Sequence, residues 1–246
     1  DETKKMLANA ITSVATQTVK PTELVIVVPE GSDTGEYVRS IDFGDIAPIV
    51  SVVDNDGKTD FQTQINVGVE YTKSEWISIL ELDDEYSSIW FKNVKEYANA
   101  YENVEIFLPI ILDVHNNNEF IGFTNEAPWA NQFSDELGFL DLNSLLVYQN
   151  FNTDGMVIKK STYQTIGGFK SNIKLTFIYE FLLRMTFKDV KVMVIPKFGY
   201  KHRNEREGSL FETYKKTIDP VEARWWLDKA KSEYYYKKDR ELTYEG

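Results

Sequence analysis

The stretch Trp76-Ile77-Ser78-Ile79-Leu80-Glu81-Leu82-Asp83-Asp84-Glu85 runs from apolar residues into four carboxylates within its last five positions. Residues Trp76–Leu82 have the length and apolar content of a buried strand. Alternation along an extended chain puts Glu81 and Asp83 on one face. Carboxylates this close repel one another unless a cation lies between them, and hard oxygen donors favour Mg²⁺ or Mn²⁺. The stretch therefore predicts either a divalent-metal site at the end of a strand or a solvated acidic turn.

Segments on both sides of this strand alternate between the helical and the extended pattern. Five further strands are predicted at Leu24–Val28, Ile49–Val53, Val104–Leu112, Met156–Lys159 and Val190–Ile195. Helices are predicted at Leu7–Val14, Phe61–Val69, Ile89–Tyr101, Ser161–Ile166, Thr176–Phe187 and Pro220–Glu241. Residues 113–150, rich in Asn, Phe and Trp, are expected to form an irregular insertion or lid. The alternation predicts an α/β fold with a mainly parallel central sheet.

Ligands of open α/β sheets bind beyond the carboxyl ends of the strands. Three post-strand segments are therefore candidate binding loops: Pro29–Gly35, Glu81–Glu85 and Lys201–Ser209.

The composition excludes several classes of site. The 246 residues include no cysteine and two histidines, His115 and His202, which excludes disulfide scaffolds, zinc fingers, thiol nucleophiles and multi-histidine metal sites. The formal net charge is −12, and an acidic protein is a poor nonspecific binder of nucleic acid. We find no apolar run near 18 residues and no signal-peptide pattern, so the expected protein is cytoplasmic, without a transmembrane segment.

Short motifs follow one another in a characteristic order over about residues 5–210. They are Ser13-Val14-Ala15-Thr16-Gln17-Thr18, the run Leu24–Val28 leading into Pro29-Glu30-Gly31-Ser32, Asn66-Val67-Gly68, Glu81-Leu82-Asp83-Asp84, Gly167-Gly168-Phe169 and Phe181-Leu182-Leu183-Arg184. In order and spacing these motifs resemble those of the nucleotide-sugar-dependent glycosyltransferases of family 2.

The resemblance implies a fold and a domain organisation. The fold would be the GT-A-like, Rossmann-related three-layer α/β/α sandwich, spanning residues 1–210, and residues 211–246 would form a C-terminal helical extension. The first strand of the family, which supplies nucleotide contacts, would precede Asp1. The resemblance thus implies either a fragment or a chain whose nucleotide site is impaired.

The resemblance also implies an activity. The protein would move a sugar from a nucleotide-diphosphate donor to a hydroxyl group of a glycan or other acceptor, with inversion and with Mn²⁺ or Mg²⁺. Glu30 takes the place of the aspartate that contacts the base or ribose. Glu81 and Asp83 take the two acidic places of the Asp-x-Asp motif, with Asp83 as metal ligand, and Asp84 is the additional acidic residue on the donor side.

Two other functions remain open. One is a catalytically impaired module that binds or serves a structural role on the same fold. The other is a nucleotidyltransferase, although the glycine-rich phosphate loop typical of that class does not occur in the sequence.

The basic segment Lys201–Ser209 follows the last predicted strand. A neutral imidazole can ligate a metal and guanidinium groups suit phosphate oxygens, so His202 is expected at the metal and Arg203 and Arg206 at the diphosphate. The alternative is a solvated basic loop. Asp154, just before a short predicted strand, is expected either at the donor or as a simple turn residue.

The catalytic base is predicted on the helix that follows Gly167-Gly168-Phe169. Inverting members of the family carry a Glu-Asp pair at its start, where this chain has Phe177 and Ile178. Glu180 is the one carboxylate of that helix. It could be a desolvated base with a raised pKa, or a structural carboxylate bonded to Arg184 four residues later. The base is the favoured hypothesis.

Overall fold

A parallel pair of strands forms the N-terminal part of the molecule. The computed structural model describes residues 2–56, 60–206 and 208–244, the last ten of them by backbone alone. Strand β1 (Glu23–Pro29) pairs in parallel with β2 (Ile49–Asn55) along its whole length. Both strands are rich in valine and isoleucine, the β-branched residues that favour extended backbone.

The remaining strands form a second, mixed sheet. They are β3 (Trp76–Ser78), β4 (Glu85–Tyr86), β5 (Ile106–Val114), β6 (Phe120–Thr124), β7 (Phe139–Leu140), β8 (Val157–Lys159) and β9 (Val192–Arg203). Their order is β3-β8-β5-β9-β4, with β6 added beside β5 and β7 beside β9. The long β5–β9 ladder is parallel, and the shorter strands join antiparallel.

Helices cover both sheets. They are α1 (Glu2–Ala15), α2 (Asp33–Arg39), α3 (Phe61–Tyr71), α4 (Trp90–Ala100), α5 (Leu142–Val147), α6 (Lys160–Ile166), α7 (Phe177–Phe187), α8 (Leu210–Thr217) and α9 (Pro220–Tyr244), with a 3-10 turn at Ala127–Trp129. The α/β class predicted from the alternating pattern is confirmed. No helix within the described ranges is long and apolar enough to cross a bilayer.

Alternate residues of β5 belong to two different core clusters. Ile106 and Leu108 pack in the cluster that contains α7, whereas Phe107 and Ile111 pack in the cluster that contains Trp90 of α4. Successive side chains of a strand point to opposite faces, so the sheet lies between two helical layers. The three-layer arrangement thus follows from the apolar character of β5 on both faces.

The segment 113–150, expected to form an irregular insertion or lid, contains the short elements β6, β7 and α5, and its role as a lid stays a prediction. Helix α5 begins with a capping box in which Asp141 Oδ1 accepts from Ser144 N at 2.7 Å. Strand β6 exists because it pairs with β5. Elements this short carry too few residues for a periodic pattern, and their stability comes from pairing across the sheet.

The ends of β3 and β9 differ from the predicted ones, because strand pairing sets both of them. Strand β3 ends at Ser78, short of the predicted Leu82, since its partner β8 begins at Val157 opposite Ser78. Strand β9 extends through Arg203, into the predicted loop, because Lys201–Arg203 pair with β5. Glu207 of that loop and the last two residues of the predicted extension lie outside the described residues.

Candidate active site

A tight reversal of the chain brings the acidic stretch to the end of β9. After β3 the chain turns at Leu82 and Asp83 and returns as β4, which pairs antiparallel with Tyr200 and Lys201. Asp84 directly precedes β4, and only 1% of its surface is exposed. Its Oδ2 lies 3.0 Å from His202 Nδ1. Its Oδ1 accepts from Arg203 N at 2.8 Å. The pairing of β4 with β9 therefore places Asp84 beside His202.

Asp154 reaches the same histidine from the turn before β8. Its Oδ2 lies 3.1 Å from His202 Nδ1, and Asn152 Nδ2 donates to that oxygen at 2.5 Å. Gly155, with φ of +70°, lets the turn approach β9, because a Cβ there would lie 2.6 Å from the ring of Tyr200. Ligand atoms of Asp84, Asp154 and His202 all lie within 4.8 Å of one another. These three residues are called the carboxylate–histidine cluster below.

The electrostatics of the carboxylate–histidine cluster indicate a need for positive charge. Burial, with a contribution from the charge of Asp84, raises the pKa of Asp154 to about 6. Burial and the charges of Asp154 and Asp84 also raise the pKa of nearby Glu81 well above its usual value. Burial acts to lower the pKa of His202, but Asp154 and Asp84 raise it to about 11. Without a metal ion, the imidazolium is the cation that compensates these carboxylates, and a divalent cation would take over that role.

Asp83 faces a different partner from the one expected. Its Oδ2 lies 2.6 Å from Arg206 Nε, and the Asp83 side chain is 10% exposed. Burial and the charge of Asp84 raise the pKa of Asp83, while Arg206 opposes the shift. Of the two residues expected at the metal, His202 lies in the carboxylate–histidine cluster and Asp83 lies beside it, paired with Arg206. The carboxylate next to His202 is Asp84.

Arg203 and Arg206 were both expected at the diphosphate, but they differ in how far their guanidinium groups are exposed to a ligand. The guanidinium of Arg203 is buried and donates to Asn116 O at 2.8 Å and Asn118 Oδ1 at 3.1 Å, which ties β9 to the turn between β5 and β6. Arg206 has a side chain 23% exposed and Asp83 as its partner. The geometry thus gives Arg203 a structural role, and it leaves Arg206 as the arginine that can reach a ligand.

Glu30 lies at the carboxyl end of β1, in an exposed turn where its backbone N–H donates to Asn55 O at 3.1 Å. This hydrogen bond joins it to the end of β2 and does not involve the carboxylate–histidine cluster.

Glu180, a buried residue of α7, takes part in a group of ion pairs. The carboxylate is bonded to Arg184 at 2.9 and 3.1 Å, to Lys170 at 2.7 Å and to Tyr234 Oη at 2.5 Å. Burial acts to raise its pKa, but the bonds and charges of Arg184 and Lys170 lower it overall. The expectation that the pKa of Glu180 is raised, as it would be for a desolvated base, is therefore wrong. The structure shows the alternative, a structural carboxylate bonded to Arg184.

Sequence reasoning missed the residues that hold Asp154 in place. Asn125, 1% exposed with φ of +75°, donates to Pro109 O at 3.0 Å and to Asn152 O at 2.9 Å, and accepts from Asn152 N at 2.9 Å. It thereby connects the loop that carries Asp154 to the middle of β5 and to the end of β6. The abundance of asparagine in this region was the one available signal, since the partners are far apart in sequence.

Comparison with known proteins adds independent information. Residues 1–152 match the model of a family described as Glycosyl transferase family 2. No curated protein matches the sequence. Among solved structures, S. aureus TarS 1–349 in complex with UDP has a TM-score of 0.63 at 15% identity, covering 82% of this chain and 57% of that one. The same protein in complex with UDP-GlcNAc has a TM-score of 0.63 at 17% identity, covering 86% and 58%. Identities this low show a shared fold alone, and the chain spans less than two thirds of the TarS chains.

Proposed function

The chain belongs to glycosyl transferase family 2, and from that membership we propose that it transfers a sugar from a nucleotide-diphosphate donor to an acceptor hydroxyl group. The resemblance found in the motifs is confirmed by the family match, and the fold is the GT-A α/β fold. The observation that carries the proposal is the carboxylate–histidine cluster, in which Asp84 directly precedes β4, Asp154 lies in the turn before β8 and His202 lies near the end of β9. UDP and UDP-GlcNAc are bound in the TarS structures, so uridine nucleotides are the first donors to test.

A divalent cation fits the residues present. Asp84 and Asp154 supply buried carboxylate oxygens, and His202 supplies an imidazole nitrogen. This donor set suits Mn²⁺. Mg²⁺ is a weaker fit, because it prefers oxygen ligands. Burial and the charge of Asp84 raise the pKa of Asp154 to about 6, and burial and the charges of Asp154 and Asp84 raise the pKa of nearby Glu81, so a cation bound here would stabilise the charged forms of both. When bound, the ion would neutralise the diphosphate of the donor and stabilise it as a leaving group.

The residues of the chain would then orient the donor. Arg206 is bonded to Asp83 at the rim of the carboxylate–histidine cluster, and its guanidinium can exchange that partner for diphosphate oxygens. Glu30, at the end of β1, is proposed for the nucleoside. Inversion at the anomeric carbon, the acceptor, a cytoplasmic location and the exclusion of nucleic acid remain predictions.

A second candidate function is binding of a nucleotide sugar without transfer. The observation that favours it is the start of α7, where buried Phe177 stands beside Ile178 and the one carboxylate, Glu180, is held by ion pairs. The one carboxylate that α7 offers to an acceptor hydroxyl is therefore engaged in ion pairs.

Titration calorimetry with UDP, GDP and dTDP, each with and without Mn²⁺, tests the proposal. We expect one nucleotide to bind, and to bind at least about 10-fold more tightly with Mn²⁺, because the acidic site repels a diphosphate on its own. Binding that is unaffected by Mn²⁺ would contradict the metal site. Metal-dependent binding together with no release of nucleotide from any nucleotide sugar, with or without acceptors, would favour the second candidate.

A further inference from the structure

Strand β6 presents an apolar edge. Its sequence is Phe120-Ile121-Gly122-Phe123-Thr124, without a charged residue, and it pairs with β5 on one side. On its other side it has no strand partner within the part of the chain that the structure describes. Edge strands of natural proteins usually carry a charge or a proline, because their unpaired backbone groups otherwise attract another strand. Since β6 carries neither, its edge is able to accept a further strand.

Three phenylalanine rings form a continuous surface beside this edge. Phe120 and Phe123 of β6 are 60% and 44% exposed, and Phe198 of β9 is 52% exposed. The centroid of the Phe123 ring lies 5.0 Å from that of Phe120 and 5.0 Å from that of Phe198. These three residues are called the phenylalanine patch below. Together they expose roughly 200–400 Å² of apolar surface, given the usual area of a phenylalanine side chain.

A bulge in β6 brings its two phenylalanines to the same face. Residues three apart on a regular strand point to opposite faces. Neighbouring pairs of the β5–β6 ladder are Val114 with Phe120 and Asp113 with Gly122. Ile121 is therefore an extra residue between these pairs, and it reverses the alternation, as bulges do when they redirect a side chain. A Cβ added at Gly122 would have nothing within 4 Å, so the middle of the strand is open.

The hairpin that joins β5 to β6 is held in place by its own hydrogen bonds. His115 N donates to Glu119 O at 2.8 Å, and Asn118 N donates to His115 O at 2.9 Å. Arg203 fixes the hairpin from β9 by donating to Asn116 O at 2.8 Å. A surface that is fixed in advance loses little conformational entropy when a ligand binds. The edge of β6 is thus preformed for a partner.

Acidic side chains lie at both ends of β6. Glu119 directly precedes the strand, and Glu126 follows its last residue by two positions. Both are exposed, and none of the ion pairs among the described residues includes either of them. A partner strand with basic residues at its ends would place opposite charges beside these carboxylates.

A second copy of the chain is a poor occupant of this edge. Antiparallel pairing of β6 with itself would bring the start of one strand next to the end of the other, so that Glu119 would approach Glu126 of the other copy. Like charges on neighbouring strands are destabilising. The net charge of −12 on each copy adds further repulsion.

We propose that β6 and the phenylalanine patch bind a short, extended peptide segment of a partner protein, apolar on one face and basic at both ends. The segment adds a strand to the free edge of the sheet, and its backbone pairs with β6. Valine and other β-branched residues suit the apolar face, because they are favourable neighbours of aromatic side chains across strands. The phenylalanine patch is smaller than the roughly 800 Å² per partner of a stable protein–protein interface, which favours a short segment over a folded domain.

Fluorescence anisotropy with a labelled peptide tests the proposal on the full chain. The probe is fluorescein-Lys-Lys-Val-Thr-Val-Thr-Val-Lys-Lys-amide, in which alternation puts the valines on one face. Phe123→Ser should weaken binding at least about 10-fold, because Phe123 contacts both other rings of the patch. The control is Val147→Ser, which removes an 88% exposed valine of α5 and should change the affinity by less than about 2-fold. Equal effects of the two substitutions would overturn the proposal.

Charge reversal tests the ends of the strand. The double variant Glu119→Lys with Glu126→Lys should bind the basic peptide about 5-fold more weakly or less at low salt. It should also bind the peptide that carries glutamate in place of every lysine, which the wild-type chain should not. A double variant that still prefers the basic peptide would contradict the proposed partner.

N-methylated peptides test whether the backbone pairs. Methyl groups on the valine nitrogens and on the threonine nitrogens remove donors from opposite edges of the peptide, because alternate residues of a strand bond to opposite neighbours. One modified peptide should lose binding and the other should keep it. Equal effects would exclude strand addition, and this comparison on the wild-type chain decides even if Phe123→Ser does not fold.

Sedimentation of the chain without peptide tests the alternative occupant. A dimer that Phe123→Ser dissociates would overturn the proposal and assign the phenylalanine patch to a second copy. Peptide binding requires neither metal nor nucleotide, so its failure is distinguishable from failure of the proposed transfer.

Discussion

Charge compensation at single residues distinguishes two of the buried acidic residues, Glu180 and Asp154. Glu180 is surrounded by Lys170 and Arg184, so its pKa is lowered. Asp154 has the His202 imidazole as its only positively charged partner among its recorded ion pairs, and its pKa is raised. Ion pairs thus outweigh the effect of burial at Glu180, whereas burial outweighs the effect of His202 at Asp154.

Substitution within the acidic stretch separates the two candidate metal ligands. Asp84→Asn should weaken Mn²⁺ binding by more than about 100-fold, above what loss of an outer-shell partner costs, because it removes a ligand oxygen. Asp83→Asn, which alters the residue bonded to Arg206, should weaken it by less than about 10-fold. Calorimetry with Mn²⁺ alone measures both. The reverse ranking would restore Asp83 as the ligand expected from the sequence.

Glu180→Gln tests the structural role of that carboxylate. The variant should lose about 3 kcal/mol of unfolding free energy, because Arg184 would remain buried without its counter-charge. The control Glu96→Gln breaks an exposed ion pair with the same four-residue spacing and should change stability by less than about 1 kcal/mol. Urea unfolding measures both. A stable Glu180→Gln variant that has lost transfer would return the base to Glu180.

The same carboxylate predicts a dependence of stability on pH. A pKa lowered by folding contributes stability above the unfolded pKa of about 4.3, and this contribution is lost as the pH falls through the folded value. The wild-type protein should therefore lose more stability between pH 5 and 3 than Glu180→Gln does. Parallel pH profiles of the two proteins would contradict the assignment.

At the scale of elements, the acidic residues of the site lie in loops that adjoin strands. The acidic stretch departs from β3 after Ser78, and the loop with Asp154 is fastened to β5 and β6 by Asn125. The apolar runs predicted β1, β2, α3, α4 and α7 to within a few residues, because burial of a strand or of one helix face imposes a pattern on the sequence. The contacts of Asn125 impose none, and neither does the pairing of β4 with β9.

Gly155→Ala probes one of these turns. The new methyl group would lie 2.6 Å from the ring of Tyr200 at a φ of +70°, so both clash and backbone strain should destabilise the protein and displace Asp154. Gly31→Ala is the control, because Gly31 has φ of +68° with nothing within 4 Å. We expect a loss of about 1–2 kcal/mol for Gly31→Ala and a larger one for Gly155→Ala, which alone should weaken Mn²⁺ binding. Equal effects on stability would mean that Tyr200 yields to the added group.

For the whole molecule, the sequence predicted more of the fold than of the site. Glu81, Asp84, Asp154, Arg206 and His202 were all candidates before the structure was known, because strand ends and acidic runs are local features. Which carboxylate faces His202 and which faces Arg206 depends on how the chain turns at Leu82 and Asp83. The acidic motif alone therefore could not predict which of Asp83 and Asp84 contacts His202 and which contacts Arg206.

The pairing of Asp84 with His202 has a consequence for biosynthesis. The two residues are 118 positions apart, so at 5–20 residues per second the ribosome needs about 6–24 s to add the histidine after the aspartate. During that interval the nascent chain exposes the acidic stretch without its partners, while the local β1–β2 unit has all of its own residues. The carboxylate–histidine cluster can be assembled only after residue 202 has been translated, so a chain that terminates before that residue cannot form it.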